Sequence, residues 1–368
     1  MNKRIYLSPP DLTGNELKYV QDALVTNWVS SVGTHLEALK VDLKKISSST
    51  YILPVNSGTS AIHLALLALD ISEGDIVFCP TFTFAATVFP MCYQKAIPVF
   101  IDCELLTWNI DPELLEQAII DSLRQNQKPK AIILAHIYGY PAQLDKIILL
   151  AQKYNLAIIE DAAESLGSTY KDKALGTFSA IGITSFNGNK ITTGGNGGAI
   201  FTEDVRLYNR MDLLSNQAKE DNTFYEHVHV GYNYRMCNVN AAIVRGQLEQ
   251  LEVKVAKKRL IRDWYAKYLP SIITVKYSSI GFDNAWLTCI LLPYNYSPEK
   301  IQQVLAENNI ESRRLWNPMH QQPVFKKSVF YSNGNADQIF DRGLSLPSGT
   351  QLTESDVIHI VDIIKDCL

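Results

Sequence analysis

Lys190 stands in the run Ser185-Phe186-Asn187-Gly188-Asn189-Lys190-Ile191-Thr192-Thr193-Gly194-Gly195-Asn196-Gly197-Gly198, between a hydroxyl residue and a string of glycines. Just upstream, an apolar run ends in Glu160-Asp161-Ala162-Ala163-Glu164. An amine can form a Schiff base with an aldehyde. A carboxylate closing a buried strand can hold the proton of a pyridinium ring, and a hydroxyl with free backbone amides can hold a phosphate. Together these are the needs of pyridoxal 5'-phosphate (PLP). Alone, Lys190 reads as a surface charge beside a loop, so its weight rests on the segments that accompany it.

Three further segments could accompany it. In Asn56-Ser57-Gly58-Thr59-Ser60-Ala61-Ile62-His63-Leu64, small polar residues give way to an apolar helical run. The free amides and positive dipole end of such a helix suit a phosphate, although the same pattern serves as an ordinary N-cap. Pro80-Thr81-Phe82-Thr83-Phe84-Ala85-Ala86-Thr87 follows a strand-like run and offers an aromatic ring. That ring could stack on a flat cofactor or simply pack in the core. Gly231-Tyr232-Asn233-Tyr234-Arg235-Met236-Cys237-Asn238 combines polar, aromatic and basic side chains before a long helix, with a capped loop as the alternative. Asp161 itself reads either as a paired carboxylate or as a helix cap.

The elements that must position these residues are strand-like runs at 76–78, 98–101, 131–135, 156–159 and 181–186, with helical patterns between them at 58–70 and 142–154. Strand-helix alternation predicts an α/β domain with a largely parallel sheet, whose ligands gather at the carboxyl ends of the strands. Asp161 and Lys190 both fall just after such runs. Amphipathic helices are expected at 11–24 and 34–46, and one long helix at 240–268. Beyond it, strands at 272–277 and 285–292 and helices at 297–308 and 353–366 suggest a smaller α+β region. The expected division is a large domain over 1–250 and a small C-terminal domain over 251–368.

Composition narrows the classes. The 368 residues are 46% apolar and 20% charged, with a net charge of −4. Nothing in that balance favours nucleic acid or an anionic membrane. The opening Met1-Asn2-Lys3-Arg4-Ile5-Tyr6-Leu7-Ser8-Pro9-Pro10 has no apolar core of a signal peptide, and no window is long and apolar enough to span a bilayer. Six scattered cysteines without a CxxC pair predict reduced thiols in a cytoplasmic protein and no metal site.

Taken together, the motifs resemble the DegT/DnrJ/EryC1/StrS sugar aminotransferases, which are fold-type I PLP enzymes. Ser57 to Ala61, Thr83-Phe84, Glu160 to Ala163, Ser185-Phe186 with Lys190, the glycine stretch to Gly198 and Gly231 to Arg235 come in the family's order. The resemblance implies that Lys190 is the Schiff-base lysine and that Asp161 pairs with the ring nitrogen. It implies that Phe84 stacks on the ring, that Gly58, Thr59, Ser60 and Ser185 surround the phosphate, and that Glu164 lies near the phenolic oxygen. Asn233 would reach the phosphate of a neighbouring subunit, since the family's sites lie at a homodimer interface.

Many members carry glutamine where Glu164 stands, followed two residues later by histidine; here the second residue is Leu166. This form, with Ser8-Pro9-Pro10, the Asn187 to Lys190 segment and Leu315-Trp316-Asn317-Pro318-Met319-His320, is similar to transaminases of the UDP-N-acetylbacillosamine pathway. The implied reaction takes an amino group from L-glutamate to carbon 4 of a UDP-linked 4-keto-6-deoxy-N-acetylhexosamine. GDP-linked and dTDP-linked sugars are alternatives. Asn189, Arg235, Arg313, Trp316 and His320 are the expected substrate contacts, while His63 and His136 read as structural. A sugar-deoxygenating branch of the family has histidine in place of the lysine, which Lys190 argues against. A regulatory PLP-binding protein is disfavoured by the lack of any basic DNA-binding signature.

Overall fold

The computed structural model describes residues 4–368. The first three residues, part of the opening read above for a leader, lie outside the described residues. In chain order the strands are β1 (Tyr51–Val55), β2 (Ile76–Pro80), β3 (Ile97–Ile101), β4 (Pro129–Ala135) and β5 (Ala157–Asp161). A short hairpin, β6 (Thr169–Tyr170) with β7 (Lys173–Ala174), leads to β8 (Ile181–Ser185) and β9 (Gly198–Thr202). The later strands are β10 (Thr274–Val275), β11 (Thr288–Leu291), β12 (Arg313–Arg314), β13 (Phe330–Tyr331) and β14 (Gly343–Leu346).

Eight strands form the large sheet in the order β1-β9-β8-β5-β4-β2-β3-β13. β9 runs antiparallel to both neighbours and the remaining pairs are parallel. The central strands are apolar on both faces because helices cover both. Along β4, Ile133 joins Val77, Ile159 and Ile183 beneath helix Gly58–Ala68. Ile132 and Leu134 turn to the other side, against Leu115, Ile119 and Ile147 of helices Pro112–Arg124 and Leu144–Tyr154. This is the fold-type I PLP-transferase architecture expected from the motifs. β1 and β9 were not among the expected strands. β1 carries Pro54, which an edge strand tolerates, and β9 starts at the end of the glycine run.

The expected helix at 240–268 is two helices, Asn238–Leu248 and Leu251–Tyr268. Gln250, with φ −105° and ψ 6°, leaves the helical region between them. The first N-terminal helix starts at Glu16 rather than near residue 11. The carbonyl of Asp11 accepts instead from Lys254 Nζ at 2.9 Å, so this segment lies along the two later helices.

Strands β10-β11-β14-β12 make a second, antiparallel sheet. Its core joins Ile290 and Leu344 to Ile261 and Tyr265 of helix Leu251–Tyr268, to Leu305, and to Ile360 of the last helix, Glu354–Lys365. β13 returns from this part of the chain to pair with β3 at the edge of the large sheet. Among the described residues, no helix is long and apolar enough to cross a membrane, and no His/Cys/Asp/Glu cluster could hold a metal ion.

Candidate active site

A cavity of about 390 Å³ opens at the carboxyl ends of β4, β5 and β8, beside the turn that follows β2. Asp161 closes β5 at its floor. Its Oδ1 accepts the Ala163 amide at 3.1 Å, and its Oδ2 accepts the Thr87 hydroxyl at 2.8 Å. Burial pushes this carboxyl above its usual range, while the two hydrogen bonds and the charges of Lys190 and His136 pull it back.

Lys190 approaches from the loop between β8 and β9. That loop is folded on itself: Phe186 N donates to Gly197 O, and Gly194 N donates to Phe186 O, each at 2.9 Å. Gly195 at φ +77° and Gly197 at φ +133° take left-handed backbone that side chains resist. A Cβ on Gly197 would also lie 2.6 Å from Met236. The Lys190 amine ends 3.5 Å from Glu164 Oε1 and 4.2 Å from the centre of the Trp286 ring. Glu164 is buried, which raises its carboxyl, and Lys190 and the Tyr138 amide counter that rise. The Tyr138 amide donates to Glu164 Oε2 at 2.7 Å.

The helix Gly58–Ala68 aims its N-terminus at the same cavity. Ser57 caps it, accepting Ser60 N–H at 3.0 Å, and Gly58 and Thr59 line the cavity with Ser185. A Cβ on Gly58 would stand 3.1 Å from Ser185 Cβ, so only glycine leaves this approach relaxed. Free amides at a helix N-terminus facing a serine hydroxyl form an anion cradle. An amine, a buried acid and an anion cradle around one cavity match the aldehyde, ring nitrogen and phosphate of PLP, and these residues fit that group.

The wall is aromatic. Phe84 lies 5.2 Å from Trp316, and Tyr138 stacks on Trp316 at 5.7 Å and 4°. Tyr138 has φ +53°, unusual for a bulky residue. It is held there by its backbone amide, which donates to Glu164, and by its hydroxyl, which accepts the Trp316 backbone N–H at 3.1 Å. Asn189 and Arg313 also line the cavity, with Arg313 paired to Glu311 at 2.9 Å.

Four expected residues lie away from this wall. Ser60 is buried, its hydroxyl 2.8 Å from that of Ser57. Arg235 pairs with Asp212 at 2.9 Å beside a separate depression. His320 packs 3.8 Å from the Phe330 ring, with Nδ1 2.8 Å from Thr81 Oγ1 and Nε2 3.2 Å from Asp337. Asn233 is exposed on a strap between Tyr232 and Tyr234, whose rings stack together and pack against His63.

Several cavity residues were given no site role from the sequence: Thr83, Thr87 and Asn187 stood inside quoted motifs, His136 read as structural, and Trp286 was not singled out. The Trp286 indole N–H donates to Asn189 O at 2.8 Å, tying a distant turn to the lysine loop. Buried Asn284 forms that turn by donating to the carbonyls of Glu164 and Leu166, both at 2.9 Å. Thr87 had a signal in its spacing behind Phe84. Trp286 had none, because its place depends on a contact across about a hundred residues of chain.

Comparison with known proteins accords with this geometry. The profile of the DegT/DnrJ/EryC1/StrS aminotransferase family matches residues 10–365. The chain is 42% identical over 371 residues to EpsN of Bacillus subtilis, named as a pyridoxal phosphate-dependent aminotransferase, covering 99% of this chain and 96% of that protein. It is 38% identical over 365 residues to the GDP-perosamine synthase of Escherichia coli O157:H7, covering 99% and 98%. Among solved structures, a DegT DnrJ EryC1 StrS aminotransferase from Brucella abortus superposes with a TM-score of 0.90 at 26% identity, covering 96% of this chain and 95% of that one.

Proposed function

Since the chain belongs to the DegT/DnrJ/EryC1/StrS aminotransferase family and is a PLP-dependent sugar aminotransferase, we propose that it moves an amino group from L-glutamate to carbon 4 of a UDP-linked 4-keto-6-deoxy-N-acetylhexosamine. The products are 2-oxoglutarate and a UDP-4-amino-4,6-dideoxy sugar for a bacterial surface glycan or glycoprotein. The observation that carries the reading is the Lys190 amine, 3.5 Å from buried Glu164 in a cavity floored by Asp161.

PLP, when bound, supplies an electron sink for negative charge at the substrate carbon. The chain's own residues do the rest. Asp161 would accept the ring N–H and keep the proton there. Nζ of Lys190 takes a proton from the donor's α-carbon and later returns one to carbon 4 of the sugar, as base and then acid. Glu164 would steady that amine while it is free of the Schiff base. Gly58 and Thr59 amides with the Ser185 hydroxyl would hold the phosphate, and Ser60 supports Ser57 behind them. Phe84 would cover one ring face, and the wall of Trp316 and Trp286, with Tyr138 stacked behind Trp316, would exclude water from the reacting atoms. Asn233, exposed on its strap, suits a phosphate contact in a second copy of the chain, as in a homodimer with shared sites.

The UDP reading is supported by Glu164-Ser165-Leu166-Gly167 and by the Leu315 to His320 stretch. A GDP-linked 4-keto-6-deoxy sugar is the second reading, favoured by the 38% identity to a GDP-perosamine synthase. The test is absorbance of the PLP-loaded protein on adding glutamate and then each ketosugar. Glutamate should bleach the cofactor band, and UDP-4-keto-6-deoxy-N-acetylglucosamine should restore it. Restoration only by the GDP sugar would establish the second reading. A band that glutamate leaves unchanged would overturn the donor assignment.

A further inference from the structure

The Asp161 carboxylate is oriented by more than its own turn. Oδ1 accepts the Ala163 amide at 3.1 Å, and Oδ2 accepts the Thr87 hydroxyl at 2.8 Å. Thr87 Oγ1 also lies 2.8 Å from Thr83 Oγ1. An ionised carboxylate can only accept, so Thr87 must direct its single hydroxyl proton at Asp161. The other contact therefore runs from Thr83 to Thr87. Both threonines are buried, at 2% exposure, and both line the cavity. Thr87 closes the turn that begins at Phe84, its amide donating to Phe84 O at 3.1 Å. One turn thus presents an aromatic ring to the cavity and a hydroxyl to its acid.

We infer that Thr87, backed by Thr83, is a positioning residue that orients the Asp161 carboxylate and keeps it ionised toward the cofactor's ring nitrogen. The inference rests on the cavity being the PLP site. With one donor on each oxygen, each still has a lone pair free for the cavity. The titratable groups facing Asp161 are Lys190 from the loop after β8, His136 from the end of β4, and Glu164 from the turn after β5. Lys190 and His136 favour the carboxylate, and Glu164 opposes it. Lys190, however, is the group that reacts, so its charge is not a constant of the cycle. The Thr87 hydroxyl keeps its place and dipole throughout. Burial pushes Asp161 up, and the Thr87 bond is the largest opposing influence.

The test compares Thr87→Val, which keeps the shape and drops the hydroxyl, with Thr87→Ser, which restores it, and with Thr83→Val. The readout is the PLP dissociation constant of the apoprotein as a function of pH, with circular dichroism checking the fold. Losing a hydrogen bond to a charged group should weaken PLP binding by about tenfold to hundredfold in Thr87→Val, with Thr87→Ser within about threefold of the parent. The acid-side inflection of the binding curve should move to higher pH in Thr87→Val, by less in Thr83→Val, and not in Thr87→Ser. Equal loss at every pH, shared by Thr87→Ser, would reduce Thr87 to packing and overturn the inference. So would a Thr87→Val protein that matches the parent. Failure of the parent itself to bind PLP would instead strike the cofactor assignment.

Discussion

Lys258 is the most consequential buried charge outside the cavity, and its removal should change how stability depends on pH. It lies fully buried in helix Leu251–Tyr268, donating to Ser348 O at 2.9 Å, Trp286 O at 3.1 Å and Ser8 Oγ at 3.2 Å. Burial, with Lys254 adding to it, pulls this amine from 10.5 down to about 7. Between those two values the unfolded chain holds a proton that the folded chain has released. Stability therefore rises with pH across that window, and below about pH 7 the contribution is level at its lowest. The gap between 10.5 and about 7, at about 1.4 kcal/mol per pH unit, amounts to about 5 kcal/mol. Lys258→Met removes the titration but leaves the Trp286 and Ser348 carbonyls unpaired, at about 1–3 kcal/mol each. Near pH 7 the two effects oppose each other at similar size, so a single stability value decides little. The difference between parent and variant should grow in the parent's favour by about 3 kcal/mol from pH 7 to about pH 9.5. Urea unfolding followed by tryptophan fluorescence at a series of pH values measures that difference, and subtraction cancels the titrations that are not coupled to Lys258. Curves that stay parallel would refute the reasoning.

Three further outcomes follow from particular contacts. Gly58→Ala places a Cβ 3.1 Å from Ser185 Cβ at the anion cradle; overpacking of this kind costs about 1–3 kcal/mol, and PLP titration should show weakened affinity in a folded protein. Arg262 and Asp283 form an ion pair at 1% and 3% side-chain exposure; Arg262→Met leaves the buried carboxylate with the more exposed Arg259, at 3.5 Å, as its charged partner and should lower unfolding stability by about 3 kcal/mol, read by urea unfolding. Asp161→Asn keeps a side chain for Thr87 to meet but loses the charge that holds the ring proton. Its half-reaction with glutamate should slow by about a hundredfold or more in stopped-flow absorbance, with some cofactor still bound; an unchanged rate would count against the electron-sink role.

How much of this was legible in the chain depends on how local each cause is. β2 to β5 and β8 announce themselves as apolar runs because both sheet faces are covered, and Asp161 and Lys190 follow two of them directly. Their meeting in one cavity is a consequence of parallel neighbours β5 and β8 ending on the same side. β1 was hidden by Pro54, harmless at an edge, and β13 is two residues long and owes its existence to β3. The break at Gln250 leaves no mark in apolar spacing, since Leu248 and Leu251 are buried on either side of it.

The cavity divides the same way. Its cofactor half is built from motifs, where spacing and residue type carry the chemistry. Its outer half is built from tertiary contacts: Tyr138 held left-handed by Glu164, Trp286 brought in by Asn284, and Trp316 stacked on Tyr138. Arg235 and His320 show the converse, since residues suited to an anion are already engaged by Asp212 and Asp337. The Lys258 network joins the two halves. Its amine grips the backbone of Trp286, and the ring of Trp286 lies 4.2 Å from the reacting lysine. A buried lysine that no motif includes thereby bears on the geometry at Lys190, and only the folded contacts reveal it.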